Sequence, residues 1–560
     1  MFVKITTSAS RQYVKLVEAF RDERGVSRQR VVATLGRLET LRSGEADALI
    51  NGLLRASGRS ELDEGTGEVS FAPALAVGDT WMLTALWQEL GFGDAFRRVL
   101  RNRHRQFDAE RLLRVMVFNR LCDPESKLGI GRWLEGSLVP QVPAESVTHQ
   151  RLLRTMDTIE SCAEALESSL AGLLRPLIDQ ELSIVFYDLT TIRIEGSSQL
   201  AEDVRRHGMS KDGGIRRQVL LGVVQTAEGL PIHHEVYEGN GAETRTLVPT
   251  IEKVLARFPI RRVVLVADRG LLSLDNLEAI GALRAGEQPL EFILAVPARR
   301  YGEFDTLLDA FHTQQCAEAR EEVFGEFAWQ GHRLVVAHQP EQAAERTARR
   351  RAAIAALEHE ALRLTGKLDG QDTGQRFRGR KLSDSGAKAK FYQAVCDVNL
   401  SAIVKVDLAR ELFAYDLDER MLARAERLDG KLVLVTNMPD HTAQQIVQRY
   451  KSLADIERGF RVLKSEIEIA PVFHRLPNRI RAHALICFLA LVLYRVLRMR
   501  LKARRSVHSP ERALEMARRI QMHQVTLGRR HTASGLSAIS EQQRELFAAV
   551  ELPMPSQNAL

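Results

Sequence analysis

Hydrophobic and polar positions follow three different rhythms along the chain. Residues 13–35, YVKLVEAFRDERGVSRQRVVATL, read as two strands joined at the turn Glu23-Arg24-Gly25. From about 45 to 180 the apolar spacing becomes three and four, as in FDAERLLRVMVFNRL, which predicts helices. Within that region ESVTHQRLLRTMD opens with Ser146 or Thr148 as a possible N-cap and then carries Arg151 and Arg154. A recognition helix of a helix-turn-helix has this form, and so does any exposed basic helix.

From 183 the pattern turns to short apolar runs. SIVFYDL predicts a strand over 183–189, and a polar, basic loop follows at 202–217. QVLLGVVQT and LPIHHEVYEG flank Ala227-Glu228-Gly229 and predict a β-hairpin. A helix over roughly 243–257 gathers Leu247, Val248, Ile251, Val254 and Leu255 on one side. Then come VVLVAD, a helix near 273–284, and the strand EFILAV at 291–296. Three strands, helix, strand, helix, strand predict a mixed sheet with helices on its faces. That is also the element order of the ribonuclease H-like fold, an analogy of topology that does not by itself give a function. Residues 298–429 are charge-rich and break the pattern, and KLVLVTN at 431–437 restores it. The fold class expected is therefore α/β, a ribonuclease H-like mixed-sheet core with an inserted subdomain, plus a mostly helical N-terminal region. The division expected is a small β segment at 1–45 and a helical, DNA-binding region at 46–180. The core's first part follows at 181–297, the insertion at 298–429, the core's second part at 430–500, and a helical tail at 501–560.

Two of the core strands run into an acid, at Asp188 and at Asp268. A third acid stands out in DHTAQQIVQRYKSLADIERGFRVLKSEI, residues 440–467, where Pro439-Asp440 suits a helix start. Ile446, Leu453, Ile456, Phe460 and Leu463 form an apolar stripe with Glu457 at its margin. Tyr450, Glu457 and Lys464 recur every seven residues and so line one helix edge, drifting only about 20° per heptad. If that helix crosses the edge where the two strands end, three carboxylates meet. They would repel and raise one another's pKa unless a cation lay between them. Oxygen donors without His or Cys favour Mg²⁺ or Mn²⁺, and a pair of such ions can act on a phosphodiester. Singly, each acid has a plainer account: a strand-end Asp is a common turn or cap residue, and Glu457 could pair with Arg461.

Composition alters this picture little. The chain has 560 residues, 45% of them hydrophobic, and a formal charge of +7 that modestly favours an anionic partner. Five scattered cysteines with no CxxC pair point to a reducing cytosol rather than a disulfide framework or zinc ribbon. The N-terminal MFVKITTSAS lacks the apolar run of a signal peptide, and ALICFLALVLY at 484–494 is too short to span a bilayer and reads as a core helix. No GxxxxGK[ST] is present, so no nucleotide cofactor is expected; His234-Glu235 lacks the second His of a zinc protease, and no GxSxG occurs.

These blocks together resemble the bacterial insertion-sequence DDE transposases. The likeness is specifically to the large group whose last acid sits in a Tyr-Arg-Glu-Lys signature, the insertion-sequence-four superfamily. FYDLTT matches the first block, VADRGLLS the second, and ERGFRVLKSEIEIAPVFH the third. Tyr450, Glu457 and Lys464 keep the signature's spacing, while Leu453 stands where its arginine would be. The resemblance runs from about 183 to 500 and is weaker before. It implies an enzyme that cuts at the ends of its own mobile element and joins the freed 3′-hydroxyl to target DNA. It further implies Asp188, Asp268 and Glu457 as ligands of two Mg²⁺ ions, with Mn²⁺ able to substitute. Tyr450 and Lys464 would contact DNA near the scissile bond. Arg461, Arg269 and Lys211 are further DNA-binding candidates, the last from the basic loop RRHGMSKDGGIRR. The expected partners are transposon-end and target DNA and a second copy of the chain, with no membrane. The expected location is the bacterial cytoplasm, associated with the nucleoid. A nuclease that cleaves without joining, and a non-catalytic DNA-binding derivative, are the alternatives.

Overall fold

The computed structural model describes all residues except 9–10, 24, 43–46, 60–68, 102–106, 179–182, 197–202, 211–212, 242–244, 259–262, 268–273, 286, 375–380, 453–460, 528–530 and 557–560. The side chain of Asp188, and those of some residues bordering these segments, also lie outside the description. The chain divides into two compact units.

The smaller unit holds residues 1–76 and 520–538. Phe2–Ser8, Arg11–Arg21 and Ser27–Arg37 form an antiparallel sheet, the last two being the strands expected around the 23–25 turn. Asp22 closes that turn, accepting from Gly25 N at 2.8 Å and, through its side chain, from Val26 N at 3.1 Å. A second sheet joins Val69–Phe71 and Leu75–Ala76 to the hairpin Gln521–Leu527 and His531–Leu536. The C-terminal stretch was expected to be helical. It carries two helices, Pro510–Arg518 and Glu541–Ala549, with this hairpin between them. The strand QMHQVTL is too short and polar to announce itself by alternation, and its pairing with Val69–Phe71 comes from far along the chain.

The larger unit begins with helices. Two of them matter below: α1, Ala109–Cys122, and α2, His149–Ser161. Thr148 is the N-cap of α2 and accepts from Arg151 N at 3.3 Å. Leu152, Thr155, Met156 and Ile159 of α2 are buried, so its inner face is core, while Arg154 is exposed.

A nine-stranded mixed sheet follows. Its strands are β1 (Ser183–Arg193), β2 (Arg206–Met209), β3 (Ile215–Thr226), β4 (Pro231–Glu238), β5 (Val263–Ala267), β6 (Glu291–Ala295), β7 (Val323–Trp329), β8 (His332–His338) and β9 (Lys431–Thr436). The spatial order is β7-β8-β9-β6-β5-β1-β3, with β2 and β4 both paired to β3. β5 runs parallel to β1 and β6 parallel to β5, and the other pairs are antiparallel. The central strands are continuous apolar runs because both faces are covered. α3, Leu247–Arg257, packs against β4. The polar loop expected at 202–217 contains β2, a strand whose basic side chains hide it from an apolar pattern.

The insertion contributes to this sheet. β7 and β8 form a hairpin that extends it through β9. Beyond β8 runs the long polar helix α4, Pro340–Asp372, which builds a separate core from Ile354, Leu357, Ala361 and Leu364 with Phe391 and Val395. The base of α4 is tied to the start of β9: Arg350 pairs with buried Asp429 at 2.6 Å, and Thr347 donates to it at 2.8 Å. Gly430 follows in left-handed conformation, φ 69°, so close to α4 that a Cβ there would lie 2.5 Å from Gln339 O.

After β9, α5 (Ala443–Lys451) covers one sheet face, and α6 (Pro477–Ala503) lies against α1, α2 and β4. Among the described residues α6 is the one helix long and apolar enough to cross a membrane, and 94% of its most apolar window is buried within the protein. The stretch 484–494 is thus part of the core.

Candidate active site

Ala267, the last residue of β5, pairs in parallel with Tyr187 of β1. In sequence each is followed by an acid, Asp268 and Asp188. Asp188 lies within β1, its backbone opposite Val223 of β3. Its side chain lies outside the described residues, as do Asp268, Arg269, Lys211 and Glu457. Among the described residues no group of three or more His, Cys, Asp or Glu could hold a metal ion.

β1 supplies a rigid floor. Tyr187 is fully buried, and its hydroxyl donates to Thr246 Oγ1 at 2.8 Å, just before α3. Burial drives the Tyr187 phenol far above its ordinary pKa, so it acts as a neutral donor. Gly222 of β3 has no side chain because a Cβ would meet the Tyr187 hydroxyl at 2.9 Å. Phe186 belongs to the sheet-face core that also holds Val264, Val266, Ile446 and Val447, with Tyr450 packed on its margin.

The segment carrying Glu457 is anchored on both sides. On the N-terminal side α5 starts at Thr442, not at Pro439-Asp440. Thr442 Oγ1 accepts from Gln445 N at 3.3 Å and Gln445 Oε1 accepts from Thr442 N at 3.0 Å, a capping box. Arg333 of β8 steadies the preceding turn by donating to Met438 O and, at 2.9 Å, to His441 O. On the C-terminal side residues 461–465 are helical, with Val462 and Leu463 buried. The chain then reaches the end of β1: Val472 N donates to Arg193 O at 3.0 Å, and Glu195 N to Val472 O at 2.9 Å. Of the expected DNA contacts, Tyr450 ends half-buried on α5, Lys464 is half-buried, and Arg461 is exposed.

The segment after Glu457 rests on a cluster that no local pattern announces, because its members are distant in sequence. Arg120 of α1 donates to Ile467 O at 3.5 Å and Glu468 O at 3.4 Å. His483 Nε2 lies 3.1 Å from Ile469 O, and Cys487 Sγ 3.6 Å from the same nitrogen. Lys127 is buried beside them. Burial and then the Arg120 cation push its ammonium down to about 7. Burial and Lys127 likewise hold His474 down to about 4.

The arginines of the basic loop that carries Lys211 are engaged in part within the fold. Arg205 is fully buried and chelates Asp203, its guanidinium 2.6 Å from the carboxylate, and Arg217 reaches the same acid at 3.1 Å. Those two arginines fold the loop. Arg216 is exposed and pairs with no acid among the described residues.

A family model described as the transposase DDE domain matches residues 179–493, and one described as the IS1634 family transposase N-terminal domain matches residues 3–65. The first match spans more than half of the chain. The chain belongs to the insertion-sequence DDE transposases, of the IS1634 family. No curated protein sequence matches it. Among solved structures, a piggyBac transposase synaptic complex with hairpin DNA, determined by cryo-EM, is similar at a TM-score of 0.39. The two share 8% identity over 86% of this chain and 87% of that one. This transposase is a DNA-cleaving and strand-transferring enzyme, and DDE transposases generally use divalent metal ions. The frame around Asp188 and the Glu457 segment lies within the matched DDE domain.

Proposed function

We propose that Asp188, Asp268 and Glu457 together hold two Mg²⁺ ions, for which Mn²⁺ can substitute. The observation that carries this is the double anchoring of the Glu457 segment to β1. α5 packs on the core containing Phe186, two residues before Asp188. Val472 bonds to Arg193 and Glu195, just beyond it. Ala267, one residue before Asp268, pairs with Tyr187, one residue before Asp188. The donor set fits the ions: three carboxylates and no thiol or imidazole select hard, oxygen-seeking cations. When bound, such a pair supplies an activated oxygen nucleophile and stabilises the leaving oxygen of a phosphodiester.

The strand order β4-β3-β1-β5-β6, with β5 and β6 parallel to β1, supports a ribonuclease H-like core. In this reading residues 181–297 and 430–500 make that core and 298–429 interrupt it. Residues 46–180 bind DNA, and the segments at 1–45 and 501–560 flank the whole. Tyr450, Lys464, Arg461, Arg269 and Lys211 contact DNA: the cations pair with phosphates, and the tyrosine donates to one or stacks on a displaced base. The substrates are the element's own ends and a target duplex. Bringing two ends together calls for a homodimer, working in the bacterial cytoplasm on the nucleoid.

The test is a strand-transfer assay with an end-labelled duplex carrying the element's terminal repeat, a supercoiled target plasmid and Mg²⁺. Label joined covalently to the plasmid is expected. Hydrolysed ends without joined product would instead favour a nuclease.

A further inference from the structure

The three-stranded sheet of the smaller unit keeps its charges on separate faces. Alternation along its middle strand, Arg11–Arg21, puts Arg11, Tyr13 and Lys15 on one face and Val14, Leu16, Glu18 and Phe20 on the other. Direct cross-strand partners share a face. Ser8 stands opposite Arg11, Thr6 and Arg37 flank Tyr13, and Lys4 and Thr34 flank Lys15. Side-chain contacts agree with this division. Lys4 Nζ reaches across the middle strand and donates to Gln29 Oε1 at 2.7 Å. On the other face Glu18 pairs with Arg30 at 2.7 Å, and the Arg30 guanidinium lies 5.7 Å from the Phe20 ring centre. Leu41 sits 3.8 Å from where a Cβ on Gly36, the partner of Val14, would stand, so the helix Leu38–Arg42 belongs to that apolar face as well.

The first face is cationic without compensation. Lys4, Arg11, Lys15 and Arg37 fall within three neighbouring cross-strand rows that hold no acid, and none of the four pairs with an acid among the described residues. Lys4 and Lys15 are direct neighbours, and like charges so placed destabilise a sheet unless an anion joins them. Charges on an edge strand deter stray pairing, but Arg11 and Lys15 belong to the middle strand, which has no free edge. The same rows add the hydroxyls of Thr6, Tyr13 and Thr34. At strand spacing, three rows are about 13 Å long and three strands about 10 Å wide. The major groove of a duplex is about 12 Å wide. A cationic, hydroxyl-bearing face of that width fits a duplex groove better than a point-like anion.

We propose that this face lies in the major groove of the transposon-end duplex, with its strands running along the groove. Tyr13 and Lys15, on the middle strand, stand over the groove floor and reach base edges, where a lysine donates to guanine O6 and N7. Lys4 and Arg37, on the two outer strands, stand beside the groove walls and hold phosphates of opposite DNA strands. The Lys4–Gln29 bond has a neutral acceptor, which a phosphate replaces readily. At about 3.4 Å per base pair the three rows cover about four base pairs. The segment at 1–37 thus reads sequence, separately from the helical region at 46–180. This inference rests on membership of the DNA transposases and not on Asp188, Asp268 and Glu457 as metal ligands.

The experiment measures binding of the full-length protein, without divalent metal, to a duplex from the element's end and to a shuffled duplex. It also maps where methylating guanine N7, a major-groove atom, blocks binding. Blocking guanines confined to one stretch of about four base pairs are expected. Lys15→Met keeps the half-buried stem and removes the charge. It is expected to weaken binding to the end duplex about tenfold or more and to the shuffled duplex about threefold or less, with thermal unfolding unchanged or raised. At one or two guanines of the stretch, methylation is expected to stop mattering in this variant. Lys4→Ala and Arg37→Ala are each expected to weaken both duplexes alike and to lower the salt slope by about one. Arg30→Ala, on the other face, is expected to leave both within about twofold. Lys15→Met, Lys4→Ala and Arg37→Ala all binding within about twofold of the parent would overturn the proposal. So would a Lys15→Met loss that is equal on the two duplexes, or a methylation map that this variant leaves intact. A Lys15→Met protein that sediments differently from the parent without DNA overturns it too, since the face would then join copies of the chain. Asp188→Asn is expected to give the parent's map; cleavage retained in that variant would remove the metal reading and leave this one.

Discussion

Burial governs the ionisation of His233 and His234, adjacent on β4. Opposite faces of a strand usually separate a buried from an exposed residue. Here α6 covers one face, with Phe488 stacked on the His234 ring at 4.6 Å, and Arg257 approaches His233 Nδ1 at 3.2 Å on the other. Burial holds His233 down to about 2 and His234 to about 4, against a weak pull upward on His234 from Glu235. Between pH 6.5 and 4 the unfolded chain takes up protons at these positions that the folded chain refuses. Stability therefore falls as pH drops through 6.5. For His234 alone the loss between pH 7 and 5 is roughly 2 kcal/mol. Urea unfolding at the two pH values should show His234→Asn, which cannot take a proton, with a loss smaller by about that amount; an equal loss in both proteins would contradict it. The sequence shows that both histidines lie in one strand, and alternation puts them on opposite faces. It cannot show that both faces are covered, because α6 arrives from some 250 positions away.

Among the elements, α5 is the one that leads in sequence toward Glu457. The sequence places its start at Pro439-Asp440, yet Thr442 and Gln445 satisfy two backbone donors reciprocally and fix it at Thr442. Thr442→Ala should cost about 1 kcal/mol in unfolding free energy. On the proposed role of Glu457, which follows this helix in sequence, it should also lower the cleavage rate while DNA binding stays within about twofold; unchanged cleavage would sink that link. The central strands were legible because burial on both faces makes each one a continuous apolar run. Three features were not. β2 is a strand of Arg, His, Gly and Met, held by pairing rather than by burial. The hairpin β7–β8 lies in charge-rich sequence and joins the sheet only through β9. The C-terminal hairpin pairs with a strand some 450 positions earlier. For the last two the deciding partner is remote, which no local window contains, whereas β2 pairs with its neighbour β3 and lacks only an apolar signature.

At the scale of the whole molecule, the order of elements foretold a mixed sheet, and motif spacing pointed to the transposase family that the domain matches establish. Not legible was how the third acid's segment is secured: by Arg333 from the insertion before it, and by Arg120, His483 and the end of β1 after it. These contacts draw on four separate stretches of chain, so the flanks of residues 453–460 are held by the entire domain rather than by one motif. The most direct measurement is Mg²⁺-dependent cleavage of a terminal-repeat duplex by Asp188→Asn, Asp268→Asn and Glu457→Gln, with DNA binding measured alongside. Each variant should lose roughly a thousandfold in rate, about 4 kcal/mol of transition-state stabilisation, with binding retained. Any one of the three cleaving within tenfold of the parent would mean that its carboxylate is not part of a shared metal site.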